Sequence, residues 1–462
     1  MNGGEYVGRL PMMGLDEAAG AVQGTVHGSA RFAGVTTDSR AVDAGDLFVA
    51  LKGENFDGHE YVGEAMRRGA VAAFVARRVE AEPQVAQVVV ADTRLALGKL
   101  AAYWRDKFAL PLVALTGSNG KTTVKEMLAS ILAAHCGSRD ALLATEGNLN
   151  NDIGMPLTLL KLRERHRYAV IEMGMNHPGE IDYLTRIARP TVALVNNAQR
   201  AHVGILGSVQ AIAQAKGEIY GGLGDAGVAV VNADDAFAQY WKDLNASRRI
   251  VTFGLAEGAD VRAIQAGGQA RFVTPTDAFA VALQVRGEHN LRNAAAACAA
   301  AYALEIPFRA MQAGLGSFSG VPGRLQRRKS ASGAIVIDDS YNANPESMKA
   351  ALAVLAEEPG RKVLVMGDMG ELGGEAAAMH AEVGSFARQS GVNALLALGD
   401  ASRHAVQAFG RGAMHFDDVE ALARTAANES AHGATILVKG SRFMRMERVA
   451  EALAGKGAGH AV

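Results

Sequence analysis

The sequence predicts an α/β protein of three domains: a small N-terminal α/β module, a central P-loop domain on a mostly parallel sheet, and a C-terminal α/β domain. Three observations predict it. A chain of 462 residues has length for about three independent cores. Short apolar runs alternate with helical patterns along most of it, as when parallel strands are covered by helices. The string Thr116-Gly-Ser-Asn-Gly-Lys-Thr-Thr123 lies between one such run and one such helix.

In the first ninety or so residues, apolar runs at 46–51, 70–75 and 85–91 read as short strands among helical segments, which makes a small α/β module. A helical stretch at 93–108 leads into the next domain. There the runs at 110–115, 169–174, 191–196 and 228–232 read as parallel strands, and Glu172, Asn196 and Asn232 stand at their ends. Ligands of open α/β sheets gather at such strand ends. Gly/Pro punctuation at 319–323 marks a second boundary. Beyond it, runs at 334–338, 362–367, 394–399 and 435–439 predict another parallel sheet, Rossmann-like in pattern. The expected division is 1–93, 94–321 and 322–462.

The loop carries the chemistry. Only Ser118 and Asn119 separate Gly117 from Gly120-Lys121-Thr122, whereas the common P-loop has four residues there. After the loop, Val124, Met127, Leu128, Ile131 and Leu132 form the stripe of a helix with one buried face. The glycine turn thus opens a helix, where free N–H groups and the positive dipole end converge on an anion. Lys121 would reach the β- and γ-phosphates of a nucleotide, and the hydroxyl of Thr122 would bind Mg²⁺; Thr123 completes the loop. The competing reading is a Gly/Ser/Asn turn that binds nothing, and the strand, loop, Gly-Lys-Thr and helix standing in order speak against it.

Other residues are ambiguous singly. Glu172 ends its strand either as a Mg²⁺ ligand beside the nucleotide or as a capping acid. His202 follows another strand end, where a lone histidine is more often structural. Lys216, between apolar neighbours on a helix, reads as a snorkelling surface lysine; desolvated, it would instead react as the neutral amine and could be carbamylated by CO₂. Asn290 and Asn293, ahead of an alanine-rich helix, could meet a base edge or simply cap the helix. Arg324 and the adjacent Asp338 and Asp339 are ordinary loop chemistry when taken apart.

Composition excludes several classes. Lys plus Arg number 47 against 48 Asp plus Glu, so no nucleic-acid partner is indicated. Cys136 and Cys298 lack metal-ligand spacing and fit packed thiols of a reducing compartment. Glu5, Asp16 and Glu17 near the N-terminus do not fit a secretory signal, and no apolar run nears the ~18 residues of a membrane span. A cytoplasmic, monomeric protein is expected.

Taken together, these segments resemble the Mur ligase family, the ATP-dependent enzymes that build the peptide of the bacterial cell wall. The resemblance runs through Thr37-Asp-Ser-Arg40, Phe56-Asp-Gly-His59, residues 117–126, Gly147-Asn-Leu-Asn-Asn-Asp-Ile-Gly154, Asn176-His-Pro-Gly-Glu-Ile181, residues 287–293 and residues 338–345. The late segments 364–373 and 438–447 are similar to the type that joins D-alanyl-D-alanine to UDP-N-acetylmuramoyl-tripeptide. The resemblance implies one domain each for the UDP-sugar, ATP and the incoming amino compound. It implies ATP and two Mg²⁺ sites, with transfer of the γ-phosphate to the tripeptide carboxylate and attack of the dipeptide amine on the acyl phosphate. Thr122 would serve the first metal; Glu172, His202 and a carbamylated Lys216 resemble the set around the second. Gly117, Ser118, Asn119, Gly120, Lys121, Thr122 and Thr123 would hold the phosphates. Asn293, with Asn290 nearby, matches the adenine contact, and Arg324 and Asp339 match residues brought over the nucleotide as the last domain closes. Asp38, Ser39 and Arg40 resemble the uridine-nucleotide loop, and Asn148 and Asn151 part of the muramoyl-peptide site. Asp368 and Glu371 are the candidates for the dipeptide pocket.

One stretch departs from the pattern. Where many relatives read Asn-Asn-Ala-Gly-Pro-Ala-His-Leu-Glu-Gly-Phe, this chain has Asn196-Asn-Ala-Gln-Arg-Ala-His-Val-Gly-Ile-Leu206. Gly204 replaces an acid, whose role is then absent or supplied from elsewhere. Two other readings compete: the preceding ligase, which adds diaminopimelate or lysine and typically carries an Asp-Asn-Pro-Arg string missing from this chain, and a non-catalytic ATP-dependent binding module. The surviving Glu172, Lys216, Arg324 and Asp339 argue against the latter.

Overall fold

A computed structural model describes residues 9–80, 85–330 and 332–454; Glu5 lies outside them. The strands form three main sheets. In the first, order runs Thr25–His27, Gln87–Val89, Ala72–Val75, Asp46–Val49, Gly34–Thr36, and every pair except the first is parallel. Phe48 and Phe74 are fully buried in it, the β-branched and aromatic filling that short buried strands favour.

The central sheet has nine strands. From one edge these are Ala278–Val281, Gln269–Val273, Val261–Ala266, Arg249–Gly254, Val228–Asn232, Val192–Val195, Leu112–Thr116, Tyr168–Glu172 and Leu142–Ala144. The seven from Val261–Ala266 onward pair in parallel. The expected parallel sheet is there, but it is longer than the sequence suggested, because an antiparallel hairpin extends one edge. A signal for that hairpin was present: Gly267 and Gly268 have φ of 56° and 80°, the two-residue turn that twisted strands prefer.

The third sheet has the order Gln326–Lys329, Ile335–Asp339, Thr435–Lys439, Lys362–Gly367, Ala394–Leu398, Ala413–Phe416, and only its first pair is antiparallel. The protein is therefore a three-domain α/β fold. The helix Thr93–Asp106 joins the first two sheets. Its buried Leu97, Leu100 and Ala101 belong to one apolar core that reaches from Leu15 to Trp241. Thr93 Oγ1 donates to Ala50 O at 2.9 Å, and Trp104 Nε1 to Leu162 O at 3.1 Å. Among the described residues no helix is long and apolar enough to cross a membrane.

The helix Lys121–Cys136 after the loop is held from behind by the helix Phe308–Ser317. Gly314 lets the two backbones meet: a Cβ there would lie 2.4 Å from Ile131 Cα, against main chain that cannot turn aside. Gly314→Ala should lower the thermal unfolding midpoint, with an overpacking cost of about 1–3 kcal/mol. An unchanged midpoint in a calorimetric scan would show that the helices separate freely.

Candidate active site

The strand Leu112–Thr116 pairs with Tyr168–Glu172 on one side and Val192–Val195 on the other. The chain reverses its direction of progress across the sheet there, and ligands of open α/β sheets settle in the crevice at that point. The loop 117–120 leaves the carboxyl end of this strand. Gly120 has φ of 80°, and a Cβ on it would meet Asn293 Oδ1 at 2.3 Å and Asn196 Nδ2 at 2.6 Å, so only glycine fits. Neighbouring amides hold the loop in place. Ser118 N and Asn119 N donate to Asn197 O and Oδ1 at 3.0 and 2.9 Å, and Asn196 Nδ2 donates to Asn119 O at 2.9 Å. Lys121 Nζ donates to Gly117 O at 2.8 Å. Burial pushes its amine below the usual lysine range, and Glu172 pulls the other way.

Thr122 is the junction of the site. Its Oγ1 donates to Glu172 Oε2 at 2.8 Å and accepts from Arg324 Nη2 at 2.8 Å. Glu172, 2% exposed at the end of its strand, also accepts from Asn150 Nδ2 at 2.7 Å, and its N–H donates to Thr145 Oγ1 at 2.9 Å. Asn150 was missed by the sequence reading, which singled out its neighbours Asn148 and Asn151; only the fold shows which asparagine faces the carboxylate.

The third domain supplies the roof. Arg324 lies over the ring of Tyr341, 4.3 Å from its centroid. Asp339 Oδ1 accepts from Leu325 N at 3.1 Å, and Lys439 Nζ stands 2.6 Å from Asp339 Oδ2. Burial pushes the Asp339 carboxyl up, against the pull of Lys439 and Arg324. Asn344, which caps the helix Pro345–Ala356, donates through Nδ2 to Asn119 Oδ1 at 2.8 Å. Lys439 and Asn344 lie in the segments 438–447 and 338–345 that carry the resemblance, but the sequence assigns neither a role; the fold brings them to the site.

Lys216 is not the surface lysine it resembles in isolation. On the helix Val209–Gly217 it is 2% exposed, and among the described residues it has no hydrogen-bond or ion-pair partner. Its desolvation, with Lys121 nearby, holds its amine well below the ordinary lysine value. His202, with φ of 64°, has Nδ1 2.6 Å from Glu371 Oε2, without hydrogen-bond alignment. That neighbour holds the Glu371 carboxyl below its usual range.

Ser118, Asn119, Gly120, Lys121, Thr123, Asn148, Asn151, Glu172, His202, Lys216, Asn290, Asn293, Arg324, Asp339 and Glu371 all line one cavity of about 1070 Å³. Asp38, Ser39 and Arg40 do not. They form an exposed turn in which Asp38 Oδ1 accepts from Arg40 N at 2.9 Å, and the guanidinium beside it lowers the Asp38 carboxyl to about 2. Asp368 is also outside, its carboxylate accepting from Ala401 N and Ser402 N at 3.2 and 2.7 Å. Asn293 spends its amide inside the protein: Oδ1 accepts from Asn196 Nδ2 at 3.0 Å and Nδ2 donates to Asn290 Oδ1 at 3.3 Å. Among the described residues no three His, Cys, Asp or Glu side chains converge as a ready-made metal cage.

A phosphate loop roofed by an arginine, an aspartate and a lysine from a separate Rossmann-like domain places the protein among three-domain ATP-dependent ligases. Residues 31–105 match the Mur ligase family catalytic domain, 115–301 the Mur ligase middle domain, and 323–442 the Mur ligase glutamate ligase domain. The UDP-N-acetylmuramoyl-tripeptide–D-alanyl-D-alanine ligase of Escherichia coli K12 is 44% identical over 92% of this chain and 94% of its own. A crystal structure of MurF from Acinetobacter baumannii superposes with a TM-score of 0.88 at 40% identity, over 96% of this chain and 99% of that one. The ADP complex of MurF from Thermotoga maritima gives 0.78 at 30% identity, over 91% and 96%. The chain belongs to the Mur ligase family.

The state of Lys216 is open to measurement. A buried amine with a lowered pKa binds fewer protons folded than unfolded, so stability rises with pH between the lowered value and the ordinary lysine value. In CO₂-free buffer Lys216→Met should unfold at a higher temperature than the native protein at neutral pH, and its advantage should shrink as pH rises through that window. Parallel pH profiles in thermal unfolding would contradict the buried free amine.

Proposed function

We propose that the protein ligates D-alanyl-D-alanine to UDP-N-acetylmuramoyl-tripeptide at the expense of ATP, by way of an acyl phosphate, in the synthesis of the peptidoglycan precursor. The observation that carries the reaction type is the Thr122 hydroxyl, where the phosphate loop, the Glu172 strand end and Arg324 of the third domain meet. The substrate pair is supported by the relatives from E. coli and A. baumannii. We assign 1–93 to the UDP-sugar, with Asp38, Ser39 and Arg40 as its nucleotide loop, 94–321 to ATP, and 322–462 to the dipeptide.

Phosphoryl transfer asks for alignment and charge neutralisation more than for a protein nucleophile. Residues 117–123 lie against the phosphates, and Lys121 exchanges Gly117 O for a β- or γ-oxygen. Arg324 and Asp339 hold the roof over the transferring group, and Asn290 and Asn293 lie toward the base. Asn148 and Asn151 border the tripeptide. As the γ-phosphorus bonds to a carboxylate oxygen of the tripeptide, its bond to ADP breaks. The dipeptide amine then attacks the acyl carbon, and phosphate leaves as the amine gives up its proton.

The residues present fit two magnesium ions. The Thr122 hydroxyl and the Glu172 carboxylate are a suitable pair for one ion, which takes few protein ligands and completes its shell with phosphate and water. Lys216, buried without a counter-ion among the described residues, suits carbamylation: the neutral amine bonds to the carbon of CO₂ and loses a proton, and the resulting anion would join Glu172 and His202 for a second ion. Bound magnesium supplies neutralisation of the phosphate charge.

With Mg-ATP and UDP-muramoyl-tripeptide, phosphate should be released only once D-alanyl-D-alanine is added. Release with diaminopimelate on the dipeptide precursor would favour the preceding ligase, and no release with either pair would favour a binding module. Lys216→Ala should lose activity and regain part of it with a short-chain carboxylic acid; failure of rescue at any concentration would refute carbamylation.

A further inference from the structure

The asparagines beside the phosphate loop form a ladder of side-chain amides whose polarity is fixed at both ends. At one end Asn196 Nδ2 donates to Asn119 O at 2.9 Å, and at the other Asn290 Nδ2 donates to Arg286 O at 2.8 Å. A main-chain carbonyl can only accept, so turning either carboxamide about would set oxygen against oxygen. Between the ends, Asn196 Nδ2 also donates to Asn293 Oδ1 at 3.0 Å, and Asn293 Nδ2 donates to Asn290 Oδ1 at 3.3 Å. Turning Asn293 alone would face two NH₂ groups on one side and two oxygens on the other. The three side chains therefore hold one arrangement, with the oxygen of Asn293 toward Asn196 and its nitrogen toward Asn290.

Asn196 is the member with least freedom. It lies one residue past the strand Val192–Val195, its N–H donates to Thr116 O at 2.8 Å, and its carbonyl accepts from Asn232 Nδ2 at 2.8 Å. It is 1% exposed, and among the described residues its Oδ1 has no hydrogen-bond partner. A buried amide oxygen left unpaired is destabilising, yet an apolar side chain here would leave both Asn119 O and Asn293 Oδ1 without this donor. Asn290 and Asn293 line the cavity, whereas Asn196 stands behind them. Each of the two lining amides keeps one lone pair and one hydrogen for a ligand.

At carbon 6 a purine carries either an amino group, which donates, or a carbonyl, which accepts. An amide free to turn can answer either one; an amide held by its neighbours answers only the edge that matches its order of oxygen and nitrogen. We propose that Asn196 is a positioning residue for base selectivity: by holding the carboxamide of Asn293 it restricts the site to a 6-amino purine and rejects a 6-oxo purine. The inference rests on the reading that places Asn290 and Asn293 toward the base of ATP. A site whose buried polar groups are held in one order rejects the analogue that leaves them unpaired.

The test compares the binding of Mg-ADP and of Mg-IDP, whose base carries a 6-oxo group, to the full-length protein by titration calorimetry. Native protein should favour ADP about tenfold or more, the scale of one or two hydrogen bonds. In Asn196→Ala that preference should fall to about threefold or less, because Asn293 is then free to turn. Any loosening of the loop through Asn119 O should weaken both nucleotides alike, so a residue with a merely structural role would leave the ratio unchanged. Asn293→Ala, which removes the base contact itself, should also lose the preference. A native ratio in Asn196→Ala beside a collapsed ratio in Asn293→Ala would keep the base assignment and overturn the role of Asn196. Equal native affinities, or a native ratio in Asn293→Ala, would overturn the base assignment and the proposal with it. Should Asn196→Ala fail to fold, Asn196→Ser, whose single hydrogen cannot serve two carbonyls, should still lower the ratio; an unchanged ratio there overturns the proposal. Failure of the ligase reading would show instead as absent phosphate release, which these binding measurements do not use.

Discussion

The hydroxyl of Thr122 has one proton to give and lone pairs to receive, and the site is organised around both. It gives the proton to Glu172, which holds the carboxylate at the end of its strand, and it receives from Arg324, which ties the third domain to the phosphate loop. Both bonds form at the start of a helix, because Thr122 stands in the first turn of Lys121–Cys136.

Charge in the cavity follows from burial. Lys121 and Lys216 share it, and desolvation lowers both amines, while burial raises Asp339 despite the ammonium of Lys439 beside it. Lys121 and Lys216 differ in what they can reach. The first already bonds a carbonyl of the loop, whereas the second has no protein partner among the described residues.

Much of the fold was legible because its signals are local. Apolar runs such as 362–367 and 435–439 became strands with the same bounds, and Gly267-Gly268 carried a hairpin signal that alternation between strands and helices does not use. The candidate site was legible in part. The loop and Glu172 could be read from their place at strand ends. Lys216 could not be told from a surface lysine, because one turn of an amphipathic pattern does not say what covers it. Asp38, Ser39 and Arg40 form the motif they resemble but do not join the cavity, and Asp368, read with Glu371 as a candidate for the dipeptide, spends its carboxylate on capping Ala401 and Ser402.

By itself the sequence determined the phosphate loop and the three α/β units, since each depends on neighbouring residues and on periodicity. Tertiary structure alone decided who meets whom. Glu172 lies 50 residues from Thr122 and Arg324 lies 202, and nothing in the chain between them encodes a distance. Packing, which sums over the whole molecule, settles such meetings, and the spacing of residues along the chain does not.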